Sequence, residues 1–206
     1  MNIFSRWPCP SLLTWEPHVD SLCTRLSRVI YLLRRLKFLV PSAFLKNAYY
    51  AFFHGVIVYG IHIWGNCNSI SKILVLQKKA VRILTGSVFD AHCKPLFTNE
   101  GILTVINLYI YVCLLKIKKN LNNYKTKTNV HKHSTRYNYQ LVVPNSRLSI
   151  TRKWFEISGL NMFNRLPVQS HNVTFCRFKS VIHSFLVLNP FYTIQEFYSN
   201  PLNIVF

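Results

Sequence analysis

Acidic residues are nearly absent from this chain. Six Asp and Glu stand against 25 Lys and Arg in 206 residues, and the only aspartates are Asp20 and Asp90. Two-metal phosphoryl transfer needs carboxylates gathered within a few ångströms of two cations, and this composition argues against such a cluster. Glycine is scarce as well, with six in the chain. No GxxxxGK[ST] or GxGxxG loop is present, nor an HExxH or GxSxG motif. The six cysteines (Cys9, Cys23, Cys67, Cys93, Cys113, Cys176) form no CxxC pair. They also lack the dense spacing of a small secreted scaffold and read as reduced thiols. His92-Cys93 and His131-x-His133 lack the spaced ligands that make a zinc signal specific, so no metal or cofactor is predicted. The N-terminal MNIFSRWPCPSLLTW has Arg6, two prolines and no continuous apolar run. It does not read as a signal peptide, and a nuclear or cytoplasmic location is expected.

Charge of either sign is missing between Asn47 and Ser71. This segment contains AYYAFFHGVIVYGIHIWG, Ala48 to Gly65. Eighteen uncharged residues approach the length of a membrane span. Gly55, Gly60, Gly65, His54 and His62 inside it, and Asn47, Asn66 and Asn68 beside it, favour a protein core instead. The expected form is a helix over Ala48 to His54, then a bend through Gly55 to Gly60 leading to Trp64. His54 and His62 are expected as hydrogen-bonded core histidines.

What the chain does have is apolar mass and positive charge. Half of it is hydrophobic, enough for a sizeable core. The formal net charge is +19, which favours a polyanionic partner, nucleic acid before a membrane surface. Helical periodicity runs over Trp15 to Phe38, with Leu22, Leu26, Val29, Leu33 and Leu36 as the inner stripe. Arg25, Arg28 and Arg35 lie on its flank. Ser42 is a plausible start for a second helix. Ile70 to Thr85 reads as an amphipathic helix capped at Gly86. In it, Ile73, Leu74, Ala80, Val81 and Leu84 face inward, and Lys78, Lys79 and Arg82 face away. Asp90 to Gly101 has loop character. Ile102 to Lys119 is helical and ends in Lys116, Lys118 and Lys119, where cations suit the dipole. Asn120 to Thr135 reads as an exposed linker. YQLVVP and RLSIT are expected to be two short strands around a turn. Trp154 to Arg165 and Phe175 to Leu188 are helices, and Phe191 to Tyr198 closes the chain.

Between Glu100 and Glu156 there is no acid at all. The interval carries Lys116, Lys118, Lys119, Lys125, Lys127, Lys132, Arg136, Arg147, Arg152 and Lys153. His131, His133, Tyr137, Tyr139 and Trp154 are interleaved with them. Cations neutralise phosphates and aromatic faces stack on bases.

Five segments in order resemble a known family. They are WEPHVDSLCTRLSRVIYLLRRL, LKNAYYAFFHGVIVYGIHIWGNC, ILVLQKKAVRILTG, DAHCKPLFTNEGILTVINLYIY and HKHSTRYNYQLVVP. Together they are similar to the C-terminal part of insect non-LTR retrotransposon reverse transcriptases of the jockey-like group, over roughly Leu13 to Phe197. The pairing of YG-x-x-x-WG with QKKA-x-R-x-[IL]-TG is the most specific part. The resemblance implies that the fingers and palm, with the catalytic aspartates, belong earlier in such a polypeptide. It implies no catalytic residue here. It implies a mainly α chain: a thumb-like helical bundle followed by a small α/β-hairpin connector. The expected divisions are a divergent segment (1–14), the thumb-like domain (15–119), a basic linker (120–135), the connector (136–198) and a tail (199–206).

The function this implies is an inactive piece of an RNA-directed DNA polymerase that contacts RNA or an RNA/DNA duplex. Its contact residues would be Arg25, Arg28, Arg35, Lys78, Lys79, Arg82, Lys116, Lys118, Lys119, Lys132, Arg136, Arg147, Arg152 and Lys153. His131, His133, Ser134, Thr135 and Arg136 match a family HxHxTR-like stretch without an assigned role. Two other readings stay open. Residues 48–65 are then a membrane span, or the chain is a decayed element's product without a function.

Overall fold

The computed structural model describes residues 14–129, 138–145, 147, 149–202 and 204–206. Within them the protein is mainly helical, and the order follows from local chemistry. Helix α1 spans Glu16–Leu36, with Pro17 in its first turn, Glu16 at the positive end and Arg34 and Arg35 at the negative end. Its buried line is Val19, Leu26, Ile30 and Leu33. Leu22, Val29 and Leu36, expected in the same stripe, lie at its partly covered edge.

Helix α2 (Ser42–Ala48) runs without a break into a π-helical turn (Tyr49–His54) and then α3 (Gly55–Val58). The expected bend through Gly55 to Gly60 falls at the far end of that range. It sits at Tyr59, where the backbone is extended, and at Gly60, which has φ +66°. Only glycine takes that left-handed conformation without a Cβ penalty. After the bend, α4 (Ile61–Trp64) ends at Gly65. A Cβ there would collide with the Ile61 carbonyl and the Tyr109 ring. The two glycines of YGIHIWG thus have separate jobs, one to turn the chain and one to let α4 press on a neighbouring helix.

The uncharged segment is half core. Tyr49, Phe53, Val56, Ile57, Ile61 and Trp64 are buried, while Tyr50, Phe52, Val58, Tyr59 and Ile63 face outward. Among the described residues, no single helix is long and apolar enough to cross a membrane.

Helix α5 (Ile70–Thr85) packs along α1. Lys72 near its start bridges Asp20 at 2.7 Å, and Gly86 at its end lies beside the Lys37 ammonium. The two helices are therefore parallel. The stretch read as a loop over Asp90 to Gly101 contains helix α6 (Cys93–Glu100). Its Pro95 falls in the first turn, where no N–H is needed, and Gly101 is the left-handed cap at its end. Proline and glycine here bound a helix instead of marking its absence.

Helix α7 (Val105–Lys119) is the centre of the molecule, with Val105 to Ile110 buried without interruption. A helix apolar on every side is a core helix. Helices α8 (Ser149–Arg152), α9 (Phe155–Phe163), α10 (Gln169–Asn172), α11 (Phe175–Leu188) and α12 (Ile194–Ser199) complete the order. Helices α9 and α11 both lie on α7. The core is one cluster that continues from Val19 to Ile204.

The expected β-hairpin does not form. Among the described residues there is no strand, only an isolated bridge between Thr126 and Leu141, and RLSIT contributes to α8. The Asn164 side chain takes both backbone groups of Leu141: its Oδ1 accepts from the N–H at 2.8 Å and its Nδ2 donates to the carbonyl at 2.9 Å. The edge that a second strand would use is occupied, and Pro144 nearby has no N–H to give. The described part of the expected linker is also tied down. Tyr124 Oη donates to Glu156, and Lys127 N–H donates to the Gln140 carbonyl.

Buried Gln77 joins three of these elements. Its Nε2 donates to Tyr49 Oη at 3.0 Å and to the Leu103 carbonyl at 2.9 Å. Its Oε1 accepts the Val105 N–H at 2.7 Å. Replacing Gln77 by Ala leaves those groups without partners in the core, each at a cost of about 1 kcal/mol or more. We expect Gln77→Ala to lower the unfolding free energy by about 3 kcal/mol, measured by urea denaturation followed by circular dichroism.

Candidate nucleic-acid interface

The structure sorts the predicted cations into three kinds. Lys78, Arg82 and Lys118 are half-buried and committed to the protein. Lys78 Nζ lies 3.6 Å from the centre of the Tyr192 ring, and burial pushes its pKa down. Arg82 donates from Nε and Nη2 to the Ala91 carbonyl at 3.1 and 2.9 Å. Lys118 Nζ donates to the carbonyls of Ser170 and His171 at 2.9 and 2.7 Å, with its pKa also lowered by burial. Their alternation with apolar residues made them look like the outer face of a helix. Later elements cover that face, which no local pattern reports. Lys79 beside them is also half-buried.

The second kind forms a ladder. Arg25, Arg28 and Arg35 are all exposed on the side of α1 away from α5. They span ten residues of helix, about 15 Å. No salt bridge among the described residues reaches them. The bridges instead use Lys46 with Glu100, Lys72 with Glu16 and Asp20, and Lys94 with Glu196.

The third kind is a basic and aromatic face built from distant segments. The α8–α9 junction carries Arg152, Lys153 and Trp154, all exposed, with Trp154 at 59%. Asn66 and Asn68 in the loop after α4 hold this junction in place. Asn66 Nδ2 donates to the Lys153 carbonyl and to Ser158 Oγ, both at 3.1 Å, and Lys153 Nζ donates to Asn68 Oδ1 at 2.7 Å. Next to Trp154, the Phe155 ring meets two groups from other helices. His62 of α4 stands edge-on to it at 5.3 Å, and Lys116 Nζ of α7 lies 5.2 Å from its centre. Lys119 is exposed one turn further along α7. The nearest acid in sequence, Glu156, accepts a hydrogen bond from Tyr124 Oη at 3.0 Å.

Lys116 is thus brought to Phe155, in the same short segment as the predicted Arg152 and Lys153. Arg147 is exposed in the preceding loop. Lys132 and Arg136, with the His131 to Arg136 stretch, lie outside the described residues. Sequence reasoning missed His62, Asn66 and Asn68. His62, expected as a hydrogen-bonded core residue, is half-buried, and nothing in its sequence surroundings predicts a partner at Phe155. His54, expected to be hydrogen-bonded as well, has no partner for its buried Nδ1. Comparison with family models, curated proteins and solved structures finds no match to this chain.

Chemically, the face offers an exposed indole beside ammonium groups. This arrangement suits a phosphodiester backbone with its bases turned inward.

Four histidines bear on its stability. Burial lowers the pKa of His18, His54, His62 and His171 below the ordinary 6.5, and Lys116 adds to the effect at His62 and Lys118 at His171. The fold holds the neutral imidazole. As pH falls through 6.5 the unfolded chain takes up protons first, so stability is full above that pH and is lost below it. We expect a Tm that is level above about pH 7 and falls towards about pH 5, read by thermal circular dichroism. His54→Phe makes that fall shallower.

Proposed function

We propose that this chain is a catalytically inactive thumb-and-connector piece of a retroelement RNA-directed DNA polymerase that keeps affinity for RNA or RNA/DNA backbones. The resemblance of the five ordered segments supplies the ancestry. One observation carries the activity: Lys116 of α7 and His62 of α4 both meet the Phe155 ring, next to the exposed run Arg152, Lys153 and Trp154. The mainly α architecture is compatible with a thumb. Acids are scarce, and five of the six are already engaged within the protein. The α1 ladder of Arg25, Arg28 and Arg35 offers a second track for phosphates.

Fluorescence anisotropy with labelled single-stranded RNA and an RNA/DNA duplex tests the reading. Log affinity should fall linearly with log salt. Substituting Lys116 and Lys153 together by Ala should reduce that slope by about 1.5, close to one counterion per phosphate contact. Trp154→Ala should weaken single-strand binding about tenfold. Lys118→Ala should lower Tm while changing affinity less than about twofold, since its hydrogen bonds are internal. Absence of binding to either probe at low salt would remove the activity and leave ancestry alone.

A further inference from the structure

Parallel packing brings the ends of α1 and α5 to the same place. Past α1 the chain turns through Phe38 and Leu39, which are 84% and 76% exposed. Past α5 it turns through Val88 and Phe89, 69% and 79% exposed. The two turns are neighbours, because the Lys37 ammonium lies against Gly86. Side chains this exposed stand out from the surface. A groove that receives a partner helix encloses its lining and leaves far less of it open, so this tip is convex. Cations surround it. Arg34, Arg35 and Lys37 are exposed at the end of α1. Asp90 is the one acid in either turn.

The outward face of Tyr50, Phe52 and Tyr59 is different. It is apolar too, but its neighbouring charges, Lys46 and Glu100, neutralise each other at 3.2 Å. The tip combines protruding apolar side chains with Arg34, Arg35 and Lys37, none of which meets an acid in a salt bridge among the described residues.

We infer that this tip is a membrane-docking surface that inserts Phe38, Leu39, Val88 and Phe89 into the interface of an anionic bilayer. The apolar side chains enter the headgroup and acyl boundary, while the guanidinium and ammonium groups meet the anionic headgroups. The chain lies on such a membrane and does not span it. The tip is set apart from the Trp154 face. The N-terminal ends of α1 and α5 adjoin the loop of Asn68 and Ser69, where Ser69 Oγ contacts Glu16. The tip is at the other end of α1, 21 residues and about 30 Å away. The inference therefore does not depend on nucleic-acid binding.

Vesicle flotation with the full chain tests it. Vesicles of phosphatidylcholine alone are compared with vesicles in which about a quarter of the lipid is phosphatidylserine. The expected result is at least tenfold stronger association with the anionic vesicles. That association should fall at least tenfold in the variant F38S/L39S/V88S/F89S, with an unchanged helical circular dichroism spectrum. Association that survives in the variant would be charge attraction alone and would overturn insertion. So would equal, weak recovery of the wild type with both compositions. A wild-type dimer by light scattering that the variant abolishes, without vesicle association, would assign the tip to a second copy and overturn the proposal. Should the variant lose its helical signal, collisional quenching of the wild-type tyrosines and tryptophans is no substitute, and F89W decides instead. Its added emission should be quenched by brominated lipid in anionic vesicles, and lack of quenching overturns insertion.

Discussion

The carboxamide of Gln77 is the point on which the helical layers depend. It is fully buried, and both its donors and its acceptor are engaged with different elements: the π-helical turn, the loop before α7 and the first N–H of α7 itself. The N–H groups that open a helix have no partner inside it. For a surface helix, water fills that need. Helix α7 begins in the core, so its opening amides need protein. Gln77 serves Val105, and Thr104 Oγ1 serves Asn107 while donating to the Phe191 carbonyl. An apolar residue of similar size at 77 would pack, yet it would leave α7 without a legitimate start. Every surface built on α7, including the position of Lys116, follows from that start.

The same device recurs where a sheet would otherwise organise the chain. Asn107 Nδ2 donates to the carbonyls of Leu186 and Asn189, and its Oδ1 accepts from Phe191 N–H, so it holds the end of α11 against α7. Asn164 holds Leu141 from both sides, and Asn66 holds the α8–α9 junction. Irregular backbone in a core needs partners as much as helical backbone does. Side-chain amides supply a donor and an acceptor on one rigid plane, which suits them to this task. In this protein they set the register between segments that have no ladder to set it.

That explains what could be read in the sequence and what could not. Periodicity places α1, α5, α7 and α11 within a few residues, because an apolar stripe and its flanking cap are local features. The Phe175 to Leu188 helix agrees end to end. Helix α6 was hidden because Pro95 and Gly101 are read as breakers unless their offset from the helix start is known. The hairpin does not follow from composition. YQLVVP has strand composition, but Asn164, more than twenty residues on, claims Leu141. The cations divide similarly. Exposure of Arg25, Arg28 and Arg35 follows from the inner stripe of their own helix. The fate of Lys78 and Lys118 is set by Tyr192 and by the Ser170–His171 backbone, which no window around them contains. The Trp154 face depends on contacts across 85 residues and more, so charge alone could suggest it but could not assemble it.

A large positive charge does not by itself describe a ligand, since the fold uses part of it. Parallel α1 and α5 place two helix ends of the same sign together, which costs energy unless charges offset it. Glu16 and Asp20 stand at the shared N-terminal end and hold Lys72 between the helices. Arg34, Arg35 and Lys37 stand at the shared C-terminal end. Lys46 and Lys94 answer acids, and Arg82 and Lys118 answer carbonyls. These cations have a use without any partner, so they are weak witnesses for one. What is left after this subtraction is the informative part. Arg25 and Arg28 on α1, and Lys153 beside Trp154, lie in no helix's last turn and meet no acid among the described residues. Those residues bear on a polyanionic partner more than the net charge does.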